Sequence, residues 1–124
     1  MSPKILVADD EPNIVISLEY LLKREGYDVV IARDGQEAVD AILRELPDLV
    51  LLDVMMPKKS GFEVCQEVRS LDAVQATKIL MLTAKGRDTD VAKGLALGAD
   101  AYMTKPFATR ELVQKVAEML GTAT

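Results

Sequence analysis

Apolar residues along this chain fall into two alternating patterns. Five short runs are unbroken: Ile5-Leu6-Val7-Ala8, Val29-Val30-Ile31, Leu49-Val50-Leu51-Leu52, Ile79-Leu80-Met81-Leu82 and Ala101-Tyr102-Met103. Runs this short, without alternating polar residues, predict strands covered on both faces, as in a parallel sheet. Between them apolar positions recur at helical spacing. A first helix from about Pro12 to Glu25 buries Ile14, Leu18, Leu21 and Leu22 and stops at Gly26. Asp34 with Glu37, and Ser60 with Glu63, have the capping-box spacing that opens a second helix, ending before Pro47, and a third. Phe62, Val64, Cys65 and Val68 form the buried stripe of that third helix. A fourth follows Asp88 and stops at Gly98, and a fifth covers Arg110 to Leu120.

Alternating strands and helices with right-handed crossovers predict an α/β fold, an open doubly wound parallel five-stranded sheet in one domain, residues 1–124. The first, third and fourth runs are the most uniformly apolar and belong inside, whereas the mixed fifth run belongs at an edge. Strand order 2-1-3-4-5 satisfies this. It places the topological switch point between strands one and three, where such sheets bind ligands beyond the strand carboxyl ends.

Composition narrows the chemistry. The 124 residues, 49% apolar and with a net charge of −5, suit one core and no phosphate-binding basic surface, so no nucleic acid is expected as a partner of this domain. No apolar stretch suits a signal peptide or a bilayer span, and the lone Cys65 permits no internal disulfide; no membrane and a cytoplasmic location are the expectation. There is no histidine, which excludes Ser-His-Asp and Cys-His catalysis and imidazole metal sites. Carboxylates, hydroxyls, lysine and a hard cation with oxygen ligands remain.

Acids stand at the predicted switch point. The first strand ends in Asp9-Asp10, followed by Glu11, and the third in Asp53. Singly, Asp10 reads as a helix cap and Asp53 as a strand end. Together on strands ~4.8 Å apart they crowd like charges, which a divalent cation relieves; with oxygen donors and water, Mg²⁺ fits best. Strand four runs into Thr83 and strand five into Lys105. A hydroxyl and an ammonium beside metal-bound carboxylates are what phosphoryl transfer requires.

Val7-Ala8-Asp9-Asp10-Glu11, Leu51-Leu52-Asp53-Val54-Met55-Met56-Pro57 with Ser60-Gly61, Leu82-Thr83-Ala84, Gly98-Ala99-Asp100-Ala101-Tyr102 and Lys105-Pro106-Phe107 occur in that order. In this set the chain resembles, over its whole length, the receiver domain of two-component response regulators, of the chemotaxis-regulator kind. The resemblance implies a (βα)5 flavodoxin-like fold and a signalling domain rather than a turnover enzyme. Asp53 would accept a phosphoryl group from the phosphohistidine of a sensor histidine kinase or phosphotransfer protein. Asp10, Asp53 and the Met55 carbonyl would hold Mg²⁺ (or Mn²⁺), with Asp9 acting through water. Thr83 and Lys105 would bind the phosphoryl group, and a cis bond would precede Pro106; Tyr102 reads equally as an aromatic packed half-exposed on the edge strand or, by the resemblance, as part of the switch. The surface of helix four, strand five and helix five would then engage a downstream protein or fused output domain. Lys93, Asp100 and Lys115 suggest charge pairs across a dimer, but Ala101 replaces a usual acid, so a monomer or weak phosphorylation-dependent dimer is expected.

A haloacid dehalogenase-like Mg²⁺ phosphatase is the alternative, with Asp9 as nucleophile and Glu11 two residues on; Pro12 and the absence of a cap domain disfavour it. A flavin carrier would need a Ser/Thr/Gly-rich phosphate loop where Asp-Asp-Glu-Pro stands. Met55 and Met56 read as loop-packing residues, Lys58-Lys59 as a solvated loop tip, and Ala108 as a poor cap for the last helix. Met55 and Lys85, two residues beyond Asp53 and Thr83, suggest a long-lived phosphate. The sequence suits a single-domain regulator or the receiver part of a longer one.

Overall fold

The computed structural model describes residues 2–84 and 87–121. Its elements are β1 (Lys4–Ala8), α1 (Pro12–Arg24), β2 (Asp28–Ala32), α2 (Gly35–Glu45), β3 (Leu49–Asp53), α3 (Gly61–Arg69), a 3₁₀ turn (Asp72–Val74), β4 (Lys78–Ala84), α4 (Asp88–Ala96), β5 (Ala101–Lys105) and α5 (Thr109–Leu120). All strands pair in parallel in the expected order, β2-β1-β3-β4-β5. β3 is central and buried at every residue, Asp53 included. Both of its neighbours are nearly as apolar, which is why the burial of three uninterrupted runs fixes the middle of the sheet.

The sheet divides the core in two. On one face α2 and α3 pack Val39, Ile42, Val64, Cys65 and Val68 onto Leu6, Val50 and Leu52. On the other, α1 and α5 pack Leu18, Leu22, Leu112 and Val116 onto Val7, Leu51 and Leu82. Cys65 is fully buried and its thiol donates to the Leu97 carbonyl at 3.5 Å, a packing role. α4 is held differently: Gly94 is its fully buried residue, and a Cβ there would sit 3.3 Å from Met81 Cε.

Some details depart from the expected pattern. In α1 the register is carried by Val15, which is buried, while Ile14 is only half-buried and Ile16 is exposed. Leu18, Leu21 and Leu22 are compatible with either start, and the tilt of the helix on the sheet decides between them. α2 ends on Leu46 in the left-handed region, φ 49°, where a glycine would be the easier residue. The capping box forms in both directions at Ser60 and Glu63. α5 begins after Ala108, which makes no side-chain cap bond, as its residue type predicts. No helix among the described residues is long and apolar enough to cross a membrane.

Candidate phosphoacceptor site

Because the strands are parallel, every strand delivers its last residue to the same rim. Asp9 and Asp10 follow β1, Asp53 closes β3, Thr83 lies one residue inside the end of β4, and Lys105 closes β5. The register sets Asp53 beside Leu82, and Ala84 beside Lys105. One carboxylate oxygen from each of Asp9, Asp10 and Asp53 lies within 4.8 Å of the other two. The structure thus brings together the three acids read from the sequence.

Asp9 is the most enclosed. Its side chain has no solvent exposure; Oδ1 accepts the Glu11 N–H at 2.9 Å and Oδ2 accepts from Lys105 Nζ at 2.7 Å. The Asp9 N–H donates to Ala32 at 3.1 Å, tying the rim of β1 to β2. Lys105 Nζ also lies 3.3 Å from Asp53 Oδ1 and 3.7 Å from Glu11 Oε1. One ammonium therefore serves three carboxylates, and Asp10 adds a fourth. Burial works against the Lys105 charge, but its hydrogen bond to Asp9 and the charges of Asp53 and Asp9 outweigh that and raise its pKa above the usual lysine value. Asp53 is pushed up to about 6, first by burial and then by the Asp9 charge, against the opposing pull of Lys105 and the Met55 N–H.

Asp10 is exposed and does not cap α1: the N-cap position is Glu11, with Pro12 opening the helix. The capping explanation for this acid is thereby removed. A surplus of carboxylate over ammonium, all-oxygen donors and one solvent-facing ligand suit a hard, partly hydrated cation, so the residues present fit Mg²⁺.

The other candidates are placed less uniformly. Thr83 is buried and its hydroxyl donates to the Met103 carbonyl at 3.5 Å, a long bond directed at β5. Tyr102 is 45% exposed on that edge strand, outside the acid cluster. The Lys105–Pro106 peptide is cis, as the resemblance implied. Met56 packs on the core, but the Met55 side chain is exposed, so only one of the two packs in the loop. Lys58 is exposed, as a solvated loop tip should be, and pairs with Asp34 at 3.5 Å, whereas Lys59 is half-buried and pairs with Glu67. Lys85 lies outside the described residues. Asp100 is engaged within the chain, accepting from Arg69 and from the Ile79 N–H, both at 2.7 Å, and Lys93 sits 4.6 Å from the Phe62 ring centre. Two of the three residues suggested for dimer charge pairs thus already have internal partners.

Sequence reasoning missed a groove beside the rim. It measures about 570 Å³ and runs between α1 and the segment after β5, lined by Ile14, Tyr20, Leu21, Lys105, Pro106 and Phe107. Its signal was the surplus of apolar residues in α1, where Ile14, Val15 and Ile16 cannot all face the sheet.

A family model described as the response regulator receiver domain matches residues 5–117. Among solved structures, a protein assigned as a response regulator of Chloroflexus aurantiacus shares 36% identity and superposes with a TM-score of 0.93, over 98% of this chain and 99% of that one. Chemotaxis response regulator CheY4 of Vibrio cholerae shares 32%, with a TM-score of 0.90 over 96% and 99%. The receiver domain of sensor histidine kinase PA1611 of Pseudomonas aeruginosa shares 29%, also at 0.90, over 98% and 99%; its structure holds a magnesium ion coordinated in the active-site cleft. None of these supports the phosphatase alternative. By its sequence match, strand order and fold, the chain belongs to the response regulator receiver domain family of two-component signalling.

Proposed function

We propose that Asp53 accepts a phosphoryl group from the phosphohistidine of a sensor histidine kinase or phosphotransfer protein in an Mg²⁺-dependent step. The observation that carries this reading is a buried carboxylate 3.3 Å from a lysine and within 4.8 Å of two further acids, at the switch point of the sheet. With a pKa of about 6, Asp53 is mostly ionised at neutral pH and is available as a nucleophile. One of its oxygens attacks phosphorus, the P–N bond of the donor breaks, and its electron pair leaves with the imidazole. Asp10, Asp53 and the Met55 carbonyl would hold Mg²⁺, with Asp9 contributing through water; Mn²⁺ suits the same oxygens. Bound Mg²⁺ supplies charge neutralisation between the acids and the phosphoryl oxygens.

Lys105, already 3.3 Å from Asp53, pairs with the phosphoryl group. The Thr83 hydroxyl exchanges its long bond to Met103 for a phosphoryl oxygen. Thr83 sits opposite Thr104, and Met81 opposite Tyr102, so that exchange acts on the β4–β5 pair. Pro106 sets the turn that carries Lys105 into the rim. The surface of α4, β5 and α5, with Tyr102 on it, then engages a downstream protein or a fused output domain. Residues 1–124 act as one receiver, a cytoplasmic phosphoacceptor rather than a turnover enzyme, monomeric or weakly dimeric when phosphorylated. The apolar groove beside Lys105 supports a protein as donor.

The test is incubation with a small acyl phosphate followed by intact-mass measurement. Wild type with Mg²⁺ should gain one phosphoryl group, and Asp53→Asn or an EDTA-treated sample none. Full labelling of Asp53→Asn overturns the assignment, and steady turnover of a phosphomonoester would favour the phosphatase instead.

A further inference from the structure

Building on the reading of Asp53 as an Mg²⁺-dependent phosphoacceptor, we infer that Gly35, the first residue of α2, is a positioning residue for that site, because it seats the loop that carries Met55. This loop, residues 54–60, leaves β3 directly after Asp53 and returns to α3 at Gly61. Its two ends are tied together next to the strand: the Gly61 N–H donates to the Val54 carbonyl at 2.8 Å, and a Cβ on Gly61 would stand 2.3 Å from the Asp53 carbonyl oxygen. Its crest is anchored on another element. The Gly35 N–H donates to the Pro57 carbonyl at 3.1 Å, and the same carbonyl accepts from Lys59 at 2.8 Å. A Cβ on Gly35 would fall 2.1 Å from the Lys59 carbonyl oxygen and 2.4 Å from its Cβ, so loop backbone fills the space of a side chain. A second tie lies alongside: Lys58, with φ 69°, reaches Asp34 at 3.5 Å, while Asp34 also caps α2 by accepting the Glu37 N–H.

Backbone conformation does not require glycine at position 35. The glycines with positive φ among the described residues are Gly26, Gly98 and Gly121. At a helical position without that constraint alanine would favour the helix, so the missing side chain serves the close approach of the loop. That approach bears on the site through Met55, two residues before Pro57. Its N–H is among the groups that hold the Asp53 pKa down, and its carbonyl is the backbone donor proposed for Mg²⁺. Mg²⁺ tolerates little departure from octahedral geometry, so displacing the crest by the width of a methyl group weakens the metal site while leaving both halves of the core intact.

The experiment uses the whole 124-residue chain, with Mg²⁺ titrated by calorimetry and amide NMR. Gly35→Ala should bind Mg²⁺ about tenfold more weakly, with shifts of the residue 54–60 amides already present before metal is added. At saturating Mg²⁺ its labelling by an acyl phosphate should return toward the wild-type rate. Asp34→Asn keeps a capping side chain but loses the charge facing Lys58, and should weaken Mg²⁺ by about two- to threefold. Ile42→Val, which thins the buried face of α2 away from the loop, should lower the melting temperature with the Mg²⁺ affinity unchanged; a comparable loss of affinity there would mean a general stability effect and overturn the inference. A folded Gly35→Ala with wild-type Mg²⁺ affinity also overturns it, as does an Asp34→Asn protein with unmoved loop amides and affinity if Gly35→Ala does not fold. Wild type that binds no Mg²⁺ overturns the reading of the site itself, a result visible before any variant is made.

Discussion

Among the basic side chains that bridge distant parts of this chain, Arg69 and Lys105 are matched very differently. Arg69, at the end of α3, works at the amino-terminal end of the sheet. It donates to the carbonyls of Gly98 at 2.8 Å, Thr77 at 2.7 Å and Gln75 at 3.2 Å, and to the Asp100 carboxylate at 2.7 Å. Asp100 accepts the Ile79 N–H as well, so donors and acceptors are balanced. Lys105, at the opposite rim, faces three carboxylates with one ammonium while Asp10 stands by as a fourth, and Asp53 answers with a raised pKa. Balanced charge holds α3 to the strands that start beside it. Unbalanced charge leaves a group that takes up whatever positive charge or proton arrives, and that is the rim where the phosphoacceptor role is proposed.

The comparison breaks most visibly at the balanced end. Arg69→Met leaves the Asp100 carboxylate and several carbonyls without their partner, and should cost about 2–3 kcal/mol in urea unfolding. A loss below ~0.5 kcal/mol would show that Asp100 and the carbonyls find water without difficulty and that the clamp is ornamental.

At the unbalanced rim the opposite sign is expected. The pKa of Asp53 is raised from 3.8 to about 6, so in the metal-free protein the folded state holds its proton where the unfolded state has released it. No penalty is felt below pH 3.8; stability from this group falls as pH rises between the two values, and the full penalty remains above about 6. Asp53→Asn should therefore be more stable than metal-free wild type at pH 7 by about 2–3 kcal/mol, with the difference vanishing near pH 4. Saturating Mg²⁺ should close the gap from the wild-type side. Equal stabilities at pH 7 without metal would show that Lys105 already balances the acids.

The smallest effect concerns helix starts. α3 opens with the closed Ser60–Glu63 box, but α5, which follows the rim directly, opens at Ala108 without a side-chain cap. Ala108→Asp should add ~1 kcal/mol to stability by capping α5, with Glu111 in place to complete a box. An unchanged denaturation midpoint would mean that water already satisfies the first turn.

How much of this was legible in the sequence depends on which interactions periodicity encodes. The five strands and their order follow from runs of apolar residues, and the rim acids follow from the order, because parallel strands place their carboxyl ends side by side. What escaped were contacts set by how elements tilt and approach. The choice of Val15 over Ile14 depends on the angle of α1 on the sheet, and the seat of Pro57 on Gly35 joins residues 22 apart in sequence that share no pattern. Arg69 reads as an ordinary end-of-helix cation, and only the folded chain turns it toward Gly98 and Thr77. The partners of Lys58 and Lys59 escaped for the same reason: Asp34 and Glu67 come within reach through tertiary structure alone.

α4 keeps a single fully buried residue, Gly94, where α1 keeps Val15, Leu18, Leu21 and Leu22. In the language of native-state hydrogen exchange, this makes α4 the helix that detaches with the least apolar surface exposed. Its amides should exchange through a local opening well below the free energy of global unfolding, while those of the wholly buried β3 wait for the entire chain to open. The protein thus has one element on a fast clock mounted on a slow scaffold.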